Sequence, residues 1–190
     1  LISCPYHAWA FDLDGKLRAS PFFGGTDKDQ QPPDFNADDH CLEPVRIKVW
    51  HDWIFVNLNN NALPFEEYAA PLIKRLKNIN FEKIYPAGTI EFDKISTNWK
   101  FLIENYIEPY HVPFVHSKTT KQPLQDHYTI VDGRCLGSGV NLNEENTAED
   151  KLSVSSKYLS LFPNFIIGTY CLDQRYLGVH LNQALGPNCS

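Results

Sequence analysis

The sequence contains no methionine and no hydrophobic stretch of the length that a bilayer requires. A membrane-spanning helix needs about 20 consecutive apolar residues, and the apolar runs here are far shorter. The opening segment, Leu1 to His7, has neither the basic region nor the long apolar core of a secretory signal peptide. We therefore expect no membrane span. The absent initiator methionine and the character of both termini favour a fragment of a longer protein.

Cysteines are few, odd in number and widely spaced, at Cys4, Cys41, Cys135, Cys171 and Cys189. This spacing is not typical of the disulfide framework of a small secreted domain, so we expect a cytoplasmic protein. The chain also lacks a basic excess, since its net charge is -6. Extensive binding to nucleic acid or to an anionic membrane is therefore not expected. A chain of 190 residues can form one large domain or two small ones.

The first 60 residues predict a small β-rich domain. The Asp14-Gly15 pair is typical of a tight turn between two apolar stretches. Residues 20–44 are rich in Pro, Gly, Asp and Gln, which predicts a long surface loop. The segment Val45–Trp50 alternates as a half-buried strand does, and Trp53–Leu58 predicts a second strand.

The remainder, residues 61–190, predicts an antiparallel sheet with helices. Apolar residues between Phe65 and Leu76 recur at helical spacing, and Pro71 within that pattern predicts a kink or a late helix start. Other segments predict strands at Gly88–Ile95, Phe165–Tyr170 and Tyr176–Leu181, a turn at Asp173–Arg175 and an acidic surface loop at Asn143–Asp150. The predicted fold class is therefore α+β, with domains at 1–60 and 61–190.

Cys4 and His7 form the first set of candidate ligands. A Cys-x-x-His pair alone is a weak signal and also fits half of a zinc site. Here the pair lies beside Pro5 within an aromatic setting, in a β-rich segment. A [2Fe–2S] cluster with mixed ligation takes one thiolate and one imidazole from each of two such loops. The pair therefore supplies half of the ligands that such a cluster needs.

The segment Cys4-Pro5-Tyr6-His7-x-Trp9-x-Phe11-x-x-x-Gly15-x-Leu17 resembles the second cluster-binding loop of a Rieske iron–sulfur domain. It is most similar to this loop in the large (alpha) subunits of Rieske non-heme iron oxygenases, the ring-hydroxylating family. The resemblance implies that Cys4 and His7 bind a [2Fe–2S] cluster. It also implies that residues 1–60 are the C-terminal part of the Rieske domain, with a first Cys-x-His loop upstream of this chain.

The second set of candidate ligands lies between Asn98 and His116. Glu104, Glu108 and His111 are spaced so that they would share one face of a helix. His116 would be rotated from His111 by about 140° on an unbroken helix. Pro113 is therefore predicted to kink or end the helix between the two histidines. Two imidazoles and one carboxylate are the ligand set of non-heme Fe(II) oxygenases.

This stretch resembles the catalytic-domain motif of the same family: Asn98-Trp99-Lys100, then Glu104-Asn105, an acidic residue, Tyr110-His111, four residues, and His116. The resemblance implies that His111 and His116 bind a mononuclear Fe(II) and that Asn105 lies near it. Glu108 corresponds to the carboxylate that links this iron to a cluster histidine of a neighbouring subunit, here His7 of another chain. The third iron ligand would be an aspartate downstream of this chain.

The resemblance implies a terminal oxygenase that uses O2 to hydroxylate a small organic substrate. Electrons would come from NAD(P)H through a reductase, with or without a ferredoxin, in a homotrimer or an alpha3beta3 assembly. The leading prediction is dioxygenation of an aromatic ring in aromatic hydrocarbon catabolism. Glutamate at position 108 is more similar to quaternary-ammonium monooxygenases acting on carnitine or choline, because ring-dihydroxylating relatives usually have aspartate there. Residues 61–190 would be the N-terminal part of the catalytic domain.

Two alternatives of other classes stay open at this point. A Rieske electron carrier without oxygenase activity would account for Cys4 and His7, but it leaves the stretch from Asn98 to His116 unexplained. A zinc-binding structural protein would use the same residue types. Nothing in the sequence supplies it with four ligands from one pair of loops.

Overall fold

The structure, a computed structural model, describes residues 1–59, 61–120, 122–141, 155–171 and 175–187. Its internal contacts divide the chain into two units, Leu1–Ala62 and Leu63–Ser190. Within the described ranges, every helix is too short or too polar to cross a bilayer.

The first unit consists of short antiparallel strands. Three of them form a sheet in the order β1-β2-β3: β1 (Ile2–Ser3), β2 (Ala10–Phe11) and β3 (Leu17–Ala19). The predicted turn before β3 is confirmed, because Gly15 has a φ of 82° and its N–H donates to the carbonyl oxygen of Asp12 at 3.1 Å. Glycine adopts this left-handed conformation without the steric cost that a side chain imposes.

A hairpin and a long loop complete the first unit. The two predicted strands are confirmed as β4 (Arg46–Trp50) and β5 (Trp53–Asn57), which pair antiparallel. The loop over residues 20–44 contains one short 3-10 helix, Ala37–His40. The ring of Trp9 packs edge-on against Phe23 and Phe35, with centroids 5.0 and 6.1 Å away.

Four α-helices lie in the described part of the second unit: α1 (Phe65–Tyr68), α2 (Ala70–Leu76), α3 (Trp99–Ile107) and α4 (Val112–Val115). The break that Pro71 predicted is confirmed, since α1 ends before Ala69 and Pro71 lies in the first turn of α2. Proline is tolerated there because the first N–H groups of a helix have no intrahelical acceptor.

The strand predicted at Gly88–Ile95 is wrong. This segment has no regular secondary structure, and its backbone pairs with no strand among the residues that the structure describes. The side chains of Ile90 and Phe92 are 80% and 73% exposed. An apolar alternation becomes a strand only where a partner backbone and a surface to cover are available.

A five-stranded antiparallel meander forms the main layer of the second unit, in the order β10-β9-β8-β7-β6. Its strands are β6 (His127–Asp132), β7 (Cys135–Asn141), β8 (Ser155–Leu161), β9 (Phe165–Cys171) and β10 (Arg175–Leu181). The last two strands confirm the strands predicted at Phe165–Tyr170 and Tyr176–Leu181. The predicted acidic loop at Asn143–Asp150 and most of the predicted turn at 173–175 lie outside the described residues.

The core of the second unit lies between helix and sheet. Leu72 and Leu76 of α2 are at most 1% exposed, as are Leu159 of β8 and Ile167 of β9, which are opposite each other across the two strands. This unit is an antiparallel sheet with helices, in agreement with the predicted α+β class. The assignment of 1–60 and 61–190 as parts of a Rieske domain and a catalytic domain stays a prediction.

Candidate metal-binding sites

Cys4 and His7 lie on one tight turn of the first unit. The N–H of Cys4 donates to the carbonyl of Trp9 at 2.8 Å, and the N–H of Ala8 donates to the carbonyl of Cys4 at 2.9 Å. Ala8 has a φ of 58°, a left-handed conformation that L residues seldom adopt. The turn therefore places the thiol and the imidazole close together on the chain and holds the backbone between them.

Both side chains border the same open depression, which has a volume of about 530 Å³ and is otherwise lined by Ile2, Trp9, Phe11 and Leu42. Cys4 is half-buried and not part of a disulfide among the described residues, and the ring centroids of Tyr6 and His7 are 3.9 Å apart. An accessible thiol and imidazole beside a mainly apolar hollow fit one loop of a mixed-ligand iron–sulfur cluster. They do not complete a site by themselves.

The histidine segment of the second unit is shaped by two prolines. Asn98 is the N-cap of helix α3, and its side chain accepts a hydrogen bond from the N–H of Lys100 at 2.9 Å. It ends at Ile107, and Glu108 has an extended backbone with φ -88° and ψ 134°. The following residue, Pro109, disfavours helical backbone at Glu108. The predicted helix break is therefore real, but its position is different from the prediction.

The prediction that Pro113 kinks or ends the helix between the two histidines is wrong. Pro113 lies in the first turn of α4, where proline is compatible with a helix, and the chain leaves α3 before either histidine. His111 and His116 flank this single turn as its N-cap and C-cap residues. The expectation that Glu108 and Glu104 share one helical face is also wrong, because Glu108 lies beyond the last residue of α3.

The two histidine rings nevertheless come together. Their centroids are 5.1 Å apart and their planes are inclined at 69°. One carboxylate oxygen of Glu108, Oε1, contacts Nδ1 of His111, and the other, Oε2, accepts a hydrogen bond from the N–H of Tyr110 at 2.7 Å. Because Nδ1 of His111 faces the carboxylate, Nε2 is the ring nitrogen left for a metal.

The donor set at this site is incomplete. Across the described ranges, no group of three or more His, Cys, Asp or Glu side chains is arranged to hold a metal ion. Asn105 is exposed on α3, and the structure does not place its amide in a hydrogen bond with His111 or His116. The roles assigned to Asn105, Glu108, His111 and His116 therefore stay predictions. The proximity of the two histidine rings and the contact of Glu108 with His111 support all of these roles except that of Asn105.

A group of aromatic side chains beside this segment was missed by sequence reasoning. We call it the tyrosine cluster: Tyr106, Tyr158, Tyr170, Tyr176 and His180. The hydroxyl oxygens of Tyr106 and Tyr170 are 2.7 Å apart, within hydrogen-bond distance. Burial raises the pKa of Tyr106 far above its ordinary value, and burial likewise raises the pKa of Tyr170. Both phenols therefore keep their protons at neutral pH.

Comparison with known sequences gives matches to oxygenases. Residues 81–171 match the profile of the family described as "Ring hydroxylating alpha subunit (catalytic domain)". The large oxygenase component of salicylate 5-hydroxylase from Ralstonia sp is 28% identical over an alignment of 124 residues, which covers 60% of this chain and 28% of that protein. The glycine betaine monooxygenase oxygenase subunit of Pseudomonas aeruginosa is 32% identical over 124 residues, 64% of this chain and 27% of that protein.

Solved structures show the same fold. A quaternary ammonium Rieske monooxygenase studied for carnitine oxidation superposes with a TM-score of 0.62 at 18% identity, covering 98% of this chain and 55% of that one. Naphthalene 1,2-dioxygenase with bound indole gives a TM-score of 0.63 at 16% identity, covering 94% of this chain and 52% of that one. The chain thus spans about half the length of these structures and less than a third of the two relatives above.

Proposed function

We propose that the chain belongs to the family of Rieske oxygenase large subunits and that it is part of a terminal oxygenase that uses O2 to hydroxylate an organic substrate. The observation that carries the proposal is the pair of His111 and His116 rings, 5.1 Å apart, with the Glu108 carboxylate on Nδ1 of His111. An electron carrier alone has no use for this arrangement.

The residues present fit the two metal groups that the family implies. His111 and His116 would bind a mononuclear Fe(II), and Cys4 and His7 would supply half of the ligands of a [2Fe–2S] cluster. When bound, the cluster supplies single electrons and the Fe(II) supplies the site at which dioxygen is activated. Among the described residues, no further His, Cys, Asp or Glu side chain completes either ligand set.

Glu108 acts on the proton of His111. An imidazole whose Nδ1–H donates to a carboxylate is held in one tautomer and one orientation, and its Nε2 becomes a better ligand. The N–H of Tyr110 holds the second carboxylate oxygen, so the carboxylate itself cannot rotate freely. The contact with His111 supports one half of the predicted bridge. The other half, a hydrogen bond from His7 of a neighbouring subunit, rests on the family resemblance.

Metal analysis of the full-length protein tests the proposal. We expect three iron atoms per chain, two in the cluster and one mononuclear, together with two acid-labile sulfides. Zinc in place of iron would contradict the proposal. Iron only at the level of the cluster would favour the electron-carrier alternative.

Substitution of the carboxylate tests the role of Glu108. Glu108→Gln keeps the size of the side chain but removes its charge, so we expect the cluster spectrum to stay unchanged. The affinity for the mononuclear metal and the substrate-coupled turnover should each fall about 10–100-fold. Glu104→Gln is the matched control, since Glu104 is exposed on α3. Normal turnover in Glu108→Gln would contradict the predicted role of Glu108 as the link between the two metal centres.

Two substrate classes remain candidates. The first is an aromatic ring, dioxygenated as in the naphthalene 1,2-dioxygenase whose fold the chain shares. The second is a quaternary ammonium compound, favoured by Glu108 and by the electron-rich rings of the tyrosine cluster beside α3, because cations bind to tyrosine faces. Oxygen uptake coupled to product, measured with salicylate and with carnitine, separates the two. If neither salicylate nor carnitine stimulates oxygen uptake, both compounds are excluded as substrates.

The partners follow from the same proposal. A reductase, with or without a ferredoxin, would deliver electrons from NAD(P)H, and a homotrimer or an alpha3beta3 assembly would bring His7 of one subunit to Glu108 of the next. Mixing the protein with separately purified reductase and ferredoxin, and following NAD(P)H oxidation with each alone, tests which of them is required. A cytoplasmic location stays a prediction.

A further inference from the structure

We infer that Tyr106 is a positioning residue for the Glu108–His111 pair, and that its hydrogen bond to Tyr170 fixes the C-terminal end of α3 against the sheet. The inference rests on the proposed function, because it assigns to Tyr106 the placement of the residues that would hold the mononuclear metal. Tyr106 itself is not one of the predicted metal ligands.

The hydrogen bond joins the last turn of α3 to the C-terminal part of β9. Tyr106 is the second-last residue of α3, and the distance between its Oη and that of Tyr170 is 2.7 Å. Gly168 precedes Tyr170 by two residues and therefore lies on the same face of β9. A Cβ atom at Gly168 would overlap the Tyr106 hydroxyl. The missing side chain at this position is what lets the helix end approach the strand.

Rings from three strands surround the hydrogen bond. His180 of β10 lies 4.6 Å from the Tyr106 ring, and Tyr158 of β8 lies 5.9 Å from it at an angle of 76°. Tyr176 stacks on Tyr170 at 4.3 Å. The hydrogen bond is part-buried among these rings, which limits the access of competing water and restricts both partners. The end of α3 is thus held by β8, β9 and β10 together.

The position of Glu108 follows from that of the helix end. Its N–H still donates to the carbonyl of Glu104 at 3.0 Å, so the residue is attached to the last turn of α3. Beyond it, Pro109 limits the backbone and α4 has only four residues. A displacement of about 1 Å at a reacting group can reduce activity up to about 100-fold. A shift of Tyr106 would therefore be passed to the carboxylate and to His111.

Two matched glycine substitutions in the full-length protein test this inference. Gly168→Ala places a methyl group on the Tyr106 hydroxyl. Gly178→Ala, at the directly opposite position of β10, places its methyl group 3.4 Å from Tyr170 Cε2, 3.8 Å from His180 Nε2 and 4.0 Å from Tyr170 Oη, which are ordinary contact distances. The readout is Co(II) binding to protein with its Rieske cluster intact and its mononuclear site emptied, followed by the ligand-field spectrum. We expect about tenfold weaker Co(II) binding and an altered spectrum in Gly168→Ala, and binding within about twofold of wild type in Gly178→Ala.

Rescue by the conservative variant separates positioning from stability. Tyr106→Phe removes the hydroxyl that the new methyl group would overlap, so adding it to Gly168→Ala should restore part of the Co(II) affinity. Tyr106→Phe alone should weaken binding moderately, making the two changes non-additive. If Gly168→Ala and Tyr106→Phe lower the unfolding temperature but bind Co(II) with wild-type affinity and spectrum, the inference is overturned. If the wild-type protein binds Co(II) no better than a His111→Ala variant, the proposed function itself fails.

Discussion

The two units of the chain hold their candidate ligands by different means. In the first, Cys4 and His7 lie on a turn closed by backbone hydrogen bonds within six residues, from Cys4 to Trp9. In the second, His111 and His116 follow a helix whose end is attached to a five-stranded sheet through residues 64 positions apart, Tyr106 and Tyr170. The first arrangement is local, and the second depends on tertiary packing.

The units also differ in how much they bury. Among the described residues of the first unit, only Phe11, Leu17 and Ser20 are buried, whereas the second unit contains all the other buried residues. One face of the β4–β5 hairpin leaves Ile47, Val49, Ile54 and Val56 between 58% and 69% exposed. A unit with so little core depends on bound groups or neighbouring surfaces for stability. We therefore expect the first unit to be the more sensitive to loss of its ligands.

The largest effect is expected at Cys4. Cys4→Ser replaces a thiolate ligand with a hydroxyl that binds iron poorly, so the full-length protein should lose its cluster absorption and its acid-labile sulfide completely. Cys41→Ser is the control, because this other half-buried cysteine of the first unit contacts the carbonyl of Ala37 instead. Sulfide content at the wild-type level in Cys4→Ser would rule out Cys4 as a ligand.

Substitution of the histidines of the second unit should affect the mononuclear iron and not the cluster. His111→Ala and His116→Ala each remove one imidazole, and we expect loss of the mononuclear iron with the cluster spectrum retained. His127→Gln is a suitable control, since neither ring nitrogen of His127 has a hydrogen-bond partner among the described residues. Iron and sulfide are measured on the same samples. Retention of mononuclear iron in both alanine variants would contradict the site.

Because the second unit is more tightly packed, truncating one of its buried side chains should destabilise the protein more than truncating an exposed side chain of the first unit. Leu159→Ala deletes a fully buried side chain of β8 and should lower the free energy of unfolding by about 2–5 kcal/mol. Ile54→Ala, at a 69% exposed position of β5, should change it by no more than about 0.5 kcal/mol. Denaturant unfolding of the full-length protein measures both. A cost for Ile54→Ala close to that for Leu159→Ala would show that another surface covers this face.

The smallest effect concerns Cys135, which is buried in β7. Burial raises the pKa of its thiol from 9.0 to about 11, so the thiol stays protonated at pH 8 and should resist alkylation until the protein is unfolded. The thiol ionises at a lower pH in the unfolded chain than in the folded protein. The contribution of the buried Cys135 thiol to the free energy of unfolding is therefore full below about pH 9 and is lost as the pH rises towards 11. Rapid native alkylation at pH 8, detected by mass spectrometry, would contradict this.

Local patterns predicted several elements correctly. The turn at Asp14-Gly15, the hairpin strands β4 and β5 and the helix break near Pro71 depend on φ preferences and side-chain alternation within a few residues. The same reasoning was wrong at Gly88–Ile95, since a strand also needs a partner. It was wrong about Pro113, because a proline in the first turn of a new helix costs little, while Pro109 had already ended α3.

The sequence by itself determined which residues could act as ligands: a thiol and an imidazole on one turn, and two imidazoles with a carboxylate on another segment. Only the tertiary structure decided how the second set is oriented. Strand register brings Gly168 and Tyr170 under Tyr106, and no local pattern encodes that distance because it depends on how α3 packs on the sheet. Residue type is a property of the chain, whereas the spacing of residues 64 positions apart is a property of the packed core.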